Sequence, residues 1–229
     1  MAEDRAAFIR SLFADIAQRY DLLNALLSFG LHQRCRRATA QLWLAQGGHS
    51  GAQVLDLGTG TADLALAFSR YAHVIGVDFC EPILRLGQRK VRARPGIALV
   101  LGDGLRLPFR DQSFDCVASG FVLRNLADLS VGFNEMARVT KPGGMIMALD
   151  FALPPPGWLR TAYLLYLRRW VPILGLLSQS DAYRYLADSV AHSRSPKEIV
   201  RMMETSALTR VGIHPLIGGL VAVWTGIKL

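Results

Sequence analysis

The sequence predicts an α/β protein built on a mostly parallel seven-stranded sheet, and three observations predict it. Short β-rich runs at AQVLDL, HVIGVD, IALVLG, FDCVAS and GGMIMALDF alternate with helix-compatible segments at 61–71, 81–92 and 128–140. Strand and helix in repetition give parallel strands with helices on both faces of the sheet. Two further β-like runs, 208–216 and 219–228, are joined by IGG and read as a C-terminal antiparallel hairpin closing the sheet edge. Ahead of the sheet, 5–20 and 31–47 carry apolar residues at helical spacing on either side of YDLLNALLSFG, which reads as an N-terminal helical cap.

The elements in between have local reasons. Asp128 precedes the 129–140 segment as an N-cap, and KPGG at 141–144 ends it with a proline and glycines that tolerate left-handed backbone. FALPPPGW breaks the alternation, because three consecutive prolines fit neither a helix interior nor a central strand, so 152–157 should leave the sheet extended. Apolar, arginine-bearing helical segments follow to about residue 190, and SPKEI opens another helix near 195. The whole of 1–229 then forms one domain: cap 1–50, α/β core 51–151, helical insertion 152–192, and C-terminal helix and hairpin 193–229.

Composition bounds the function. The chain carries 26 Lys+Arg against 18 Asp+Glu, a net charge of +8, which favours anionic partners without choosing among nucleic acid, phosphate groups and an acidic membrane surface. Cys35, Cys80 and Cys116 are widely spaced with no C-x-x-C pair, which argues against disulfides and a zinc site and fits a reducing cytosol. MAEDRAAFIR has no apolar core of a secretory signal. The nearest approach to a spanning helix, WLRTAYLLYLRRWVPILGLL, is interrupted by Arg160, Arg168 and Arg169.

The stretch VLDLGTGTADLAL carries the chemistry. Ligands of an open α/β sheet gather at the carboxyl ends of the strands, and glycines after the first strand let backbone approach the ligand. Gly58 and Gly60 provide that turn, and Asp78, at the end of HVIGVD, stands where a carboxylate accepts from ribose hydroxyls. A dinucleotide site wants a third glycine three places after Gly60, where this chain has Asp63. Asp63 and Asp56 would repel a pyrophosphate but suit a ligand with an ammonium and a sulfonium, and S-adenosylmethionine is such a ligand. Asp103, at the end of IALVLGDG, adds an acceptor for an adenine amino group, with the Gly104 backbone against the ring edge.

YDLLNALLSFGLHQRCRR, VLDLGTGTADLA, DGLRLPFRDQSFD, FVLRNLAD, RVTKPGG and SDAYRYLADSV, in that order, resemble the ubiquinone/menaquinone biosynthesis C-methyltransferases. The resemblance runs from about residue 8 to the end of the sequence. It implies a Rossmann-like class I methyltransferase fold and S-adenosylmethionine-dependent methylation of the ring of a polyprenyl quinol. It also implies cofactor contacts at Thr61, Asp78, Asp103 and Gly104, beside Gly58 and Gly60, with Asp56 and Phe79 flanking them. The family usually has serine before F-G-L-R-N; here Gly120 stands there, with Ser119 one place earlier to supply the hydroxyl and Val122 where glycine is usual. Ala62 likewise replaces a common glycine, a change a helix N-terminus should tolerate.

For catalysis, Arg124 is expected to stabilise a phenolate and Asn125 to orient the ring oxygens. Tyr20, Asp21 and Asn24 of the cap, and Asp181 and Tyr183 of the insertion, are expected to line the acceptor pocket from above. No metal and no nucleic-acid partner are expected. The acceptor's tail implies peripheral contact of a cytoplasmic protein with the inner face of a membrane, for which the tryptophan-flanked 158–177 segment is suited; a homodimer is left open. A methyltransferase for another small lipid or secondary metabolite is the rival reading that Gly120 and Val122 keep open.

Overall fold

The computed structural model describes residues 10–12, 14, 21–22, 25, 28, 30–154, 157–158, 160–167, 169, 185, 189–190 and 193–229. Helix α1 spans Leu31–Ala45, followed by β1 (Gln53–Leu57), α2 (Asp63–Phe68), β2 (His73–Asp78), α3 (Glu81–Val91), β3 (Ile97–Leu101) and β4 (Phe114–Gly120). A 3-10 turn at Leu123–Asn125 leads to α4 (Leu129–Val139), β5 (Thr140–Phe151), α5 (Pro196–Thr205), β6 (Leu208–Leu216) and β7 (Val221–Lys228). The seven strands form one sheet in the order β3-β2-β1-β4-β5-β7-β6. Strands β1 to β5 are parallel, and β7 runs antiparallel to both β5 and β6.

Strand order reverses beside β1, so the ends of β1 and β4 face a crevice. The predicted hairpin forms and closes the sheet edge, with IGG as its 3-10 turn; β6 is the outer strand and β7 sits between it and β5. KPGG also differs from expectation, since α4 already ends at Val139 and the four residues open β5, with Gly143 at φ 75° and a register break against Phe114–Cys116. Asp128 caps α4 as expected, its carboxylate accepting from the amides of Ser130 and Val131. Ser195 and Glu198 close a reciprocal capping box on α5.

Two apolar layers sandwich the sheet, and strand alternation sorts side chains between them. Val54, Met147, Leu149 and Val223 pack with Trp43 and Phe68 under α1 and α2. Leu55, Leu57, Ile146, Ala148 and Trp224 pack with Phe133 and Met203 under α4 and α5. Trp224 is wholly buried and its indole N–H donates to the Pro196 carbonyl at 3.1 Å, so its one polar atom is satisfied.

Candidate active site

The glycine turn is built as a tight reversal over the neighbouring strand. Gly58 and Gly60 take φ values of 67° and 57°, and the amides of Gly58 and Thr59 both donate to the Val77 carbonyl, at 2.8 and 3.0 Å. A side chain at Gly58 would collide with Val122, so that position is closed to other residues twice over. Ala62 follows at φ 67° as the N-cap of α2, in a left-handed region where glycine is at home.

A cavity of about 230 Å³ opens beyond this turn, at the carboxyl ends of β1, β2, β3 and β4. Leu57, Val77, Ile83 and Leu126 give it apolar walls, and Gly58, Gly60, Gly104 and Gly120 bring backbone to its surface. Its acids are Asp78 and Asp103. Asp78 is held by main chain: Oδ2 accepts from the Gly60 amide at 2.8 Å and Oδ1 from the Cys80 amide at 2.9 Å. Burial pushes the Asp78 carboxyl up, against the pull of those amides. Asp103 is exposed and accepts from the Leu105 amide at 2.9 Å. Phe79 lines the cavity too, with the Arg10 guanidinium 5.6 Å from its ring centre.

Four expected residues stand elsewhere. Asp56 lies on the face of β1 under α2, fully buried, where Oδ2 accepts from Thr59 Oγ1 at 2.7 Å and from the Ala65 amide at 2.9 Å. It braces the turn rather than facing the cavity, and burial pushes its carboxyl up to about 7. Thr61 is also outside the lining; its hydroxyl donates to Asp21 at 2.6 Å. Ser119 is wholly buried off the cavity wall, so it does not supply the hydroxyl that Gly120 lacks. At Gly120 a Cβ would meet Leu64 at 3.2 Å, so the glycine and Leu64 fit each other.

Asp21 is likewise engaged with the core rather than with the cavity. Besides Thr61 it pairs with Lys90, at 2.9 Å, and Lys90 pairs on its other side with Asp63. Asp63 further accepts from Gln33 at 2.7 Å and has Arg36 at 4.0 Å. Asp56 and Asp63 therefore do not select a cationic ligand, contrary to expectation: Asp63 is compensated by Lys90 and Arg36, Asp56 is turned away, and the charged residues lining the cavity are Asp78, Asp103 and Arg10. Tyr20, Asn24, Asp181 and Tyr183 lie outside the described residues.

The two catalytic candidates point to opposite sides of the 3-10 turn. Asn125 lines the first cavity and accepts from the Tyr185 hydroxyl at 3.0 Å. Arg124 lines a second, larger cavity of about 660 Å³, which shares Leu126 and Ala127 with the first. There its guanidinium donates to Asp150 at 2.9 Å and to the Phe121 carbonyl at 2.8 Å, and lies 5.1 Å from the Phe151 ring centre. Phe121 holds that carbonyl in place from φ 64°, a strained conformation for a non-glycine residue. Arg124 thus arrives already paired with a buried carboxylate, a partnership the sequence reading did not contain.

Arg10, Ile83, Val122, Asp150, Tyr163 and Tyr185 complete the two cavities and their surround, and were not foreseen. For Asp150 a signal existed: it is an acid in the otherwise apolar run GGMIMALDF, one place from the end of its strand. Arg10 and Tyr185 offered none, because their places depend on how the cap and the insertion fold back.

A family model described as the ubiE/COQ5 methyltransferase family matches residues 1–228. A demethylmenaquinone methyltransferase of Desulfitobacterium hafniense is 37% identical over 99% of this chain and 92% of its own length. A ubiquinone/menaquinone biosynthesis C-methyltransferase of Geobacter sulfurreducens is 38% identical over 96% of this chain and 88% of its own. Among solved structures, an S-adenosylmethionine-dependent methyltransferase from Aquifex aeolicus aligns with a TM-score of 0.62 at 17% identity, covering 83% of this chain and 89% of that one, a likeness of fold. On the match along its whole length, the chain belongs to the ubiE/COQ5 methyltransferase family.

Proposed function

We propose that the chain is an S-adenosylmethionine-dependent C-methyltransferase acting on the ring of a polyprenyl quinol, of the benzoquinol or naphthoquinol kind. The observation that carries this reading is the pair of adjoining cavities: one ends in strand-end carboxylates, the other is walled by Arg124 and Asp150, and they meet at Leu126 and Ala127. Membership of the family supports it, as do the names of the relatives.

The donor set of the smaller cavity fits the cofactor. Each oxygen of Asp78 already accepts one backbone N–H and keeps lone-pair capacity for a ribose hydroxyl, which would offset its burial. Asp103 and Gly104 would hold the adenine edge, while Leu57, Val77 and Ile83 exclude water. When bound, S-adenosylmethionine supplies a methyl group on a positively charged sulfur, so the protein's task is alignment and activation of the acceptor. The acceptor ring is assigned to the larger cavity, with Asn125, on the dividing turn, orienting ring oxygens.

A polyprenyl acceptor resides in a bilayer, and no helix among the described residues is long and apolar enough to cross one. Peripheral contact through the 157–169 stretch suits this: Trp158 is 82% exposed and Leu165 is exposed beside Arg160 and Arg169. Incubation with labelled S-adenosylmethionine and a panel of demethylated quinols in liposomes tests the assignment. Transfer to at least one quinol is expected; cofactor binding with transfer to none removes the quinol from the reading.

A further inference from the structure

The larger cavity contains a carboxylate whose hydrogen-bonding capacity is half used. Asp150 stands opposite Ala222 of β7 and is 3% exposed. Its Oδ1 accepts from Arg124 at 2.9 Å and from the Phe151 amide at 2.7 Å, while its Oδ2 is buried without a hydrogen-bond partner among the described residues. A carboxylate oxygen removed from water and left unbonded is expensive; Asp56 Oδ1 is a second such oxygen, but Asp56 lines neither cavity, whereas Asp150 lines the larger one.

Of the other groups lining the cavity, Arg194 is exposed and the Ser193 hydroxyl is buried without a hydrogen-bond partner among the described residues. Asp128 is exposed and spends its carboxylate as the cap of α4. Tyr185 donates to Asn125. The Tyr163 phenol, which feels both Arg124 and Asp150, is pushed above its ordinary value by burial. The strand on the far side, β7, offers Ala222 opposite Asp150. Arg124 is therefore the cation set against Asp150, and Asp150 is the carboxylate left to meet a ligand.

We propose that Oδ2 of Asp150 accepts the ring-hydroxyl proton of the acceptor, and that Arg124 serves as counter-ion first to the carboxylate and then to the phenolate. This deepens the quinol reading and rests on it. In the step, the O–H bond breaks, its electron pair stays on the ring oxygen, and the proton bonds to Oδ2. One negative charge moves from carboxylate to ring beside a fixed guanidinium, so the charge of the buried site is unchanged and the electron-rich ring is formed without exposing it to water. After methylation the ring carbon releases its own hydrogen as a proton to water, and Asp150 returns its proton to the ring oxygen. Burial, which holds the Asp150 carboxyl above its ordinary value against the pull of Arg124, brings it nearer to a phenol and favours the exchange.

Binding tests this apart from turnover. Titration calorimetry of the wild-type protein with 1-naphthol and with 1-methoxynaphthalene compares two bicyclic probes that differ in the donor. At least a tenfold preference for 1-naphthol is expected, and equal affinities overturn the proposal. In Asp150→Asn, which keeps the shape, that preference is expected to fall at least fivefold and kcat at least a hundredfold, with S-adenosylmethionine affinity within twofold of wild type. A folded Asp150→Asn protein that keeps the full preference also overturns it. If that variant does not fold, the wild-type comparison decides. Should the probes discriminate while no quinol is methylated, the base role of Asp150 falls together with the substrate reading, and the carboxylate stands as a hydroxyl-binding group alone.

Discussion

The two cavities solve the same problem, holding a carboxylate out of water, by different means. In the smaller, Asp78 is fixed by the amides of Gly60 and Cys80, one from the glycine turn and one from its own strand end. In the larger, Asp150 and Arg124 fix each other across 26 residues of sequence, with a backbone carbonyl and an aromatic ring closing in the guanidinium. A main-chain cradle survives the loss of the side chain it holds. A buried ion pair does not, because either partner alone is a stranded charge.

That contrast sets the size of the expected effects. Arg124→Ala, which strands Asp150, should cost about 3–5 kcal/mol of stability, and urea unfolding measures it; a loss under 1 kcal/mol would show the pair to be as replaceable as a surface one. Asp78→Ala, which takes the acceptor from the Gly60 and Cys80 amides, should cost about 1–3 kcal/mol of stability and weaken S-adenosylmethionine binding by about a hundredfold, as two charge-assisted hydrogen bonds at about 1.5 kcal/mol each are lost. Calorimetry that finds unchanged affinity would remove Asp78 from the site.

A third carboxylate sharpens the comparison, since Asp56 is buried but braces a turn. Its carboxyl is raised to about 7 in the folded chain and returns to the ordinary carboxylate value on unfolding. The folded state therefore binds the extra proton, and the stability Asp56 contributes is full below the unfolded value and is lost as pH rises through about 7. Between about pH 6 and pH 8 this amounts to about 1.4 kcal/mol, and Asp56→Asn should flatten that part of the stability curve. The smallest effect belongs to the cap. Asp21→Asn weakens a partly exposed pair with Lys90 and should cost about 0.5–1 kcal/mol, with salt producing most of the same loss in the wild type.

The difference between the cavities also separates what the sequence reveals from what it conceals. The smaller is written in consecutive residues: a strand, Gly58 and Gly60, then Asp78 and Asp103 at the next strand ends, each a local signal with a local cause. The same locality misleads at Asp56 and Thr61, where adjacency to the turn suggested contact with the ligand. Strand alternation sends Asp56 beneath α2, and Asp21 takes up the Thr61 hydroxyl. The larger cavity depends on which residues of a long insertion return to the sheet and on the pairing of β5 with β7, neither of which periodicity encodes. The hairpin is legible as two strands and a turn, but which of its strands pairs with β5 is not, because register and order are decided by packing across the whole sheet; β7 takes that place and β6 the edge.

The place of β7 has a consequence for association between chains. Because β7 fills the gap between β5 and β6, a strand drawn from residues 221–228 completes the interior of the sheet and brings Trp224 into the layer beneath α5. Without residues 221–228 the flank of β5 that carries Asp150 would have no strand beside it. Removal of those eight residues is then expected to leave β5 as an unpaired edge, open to pairing with a strand of another chain.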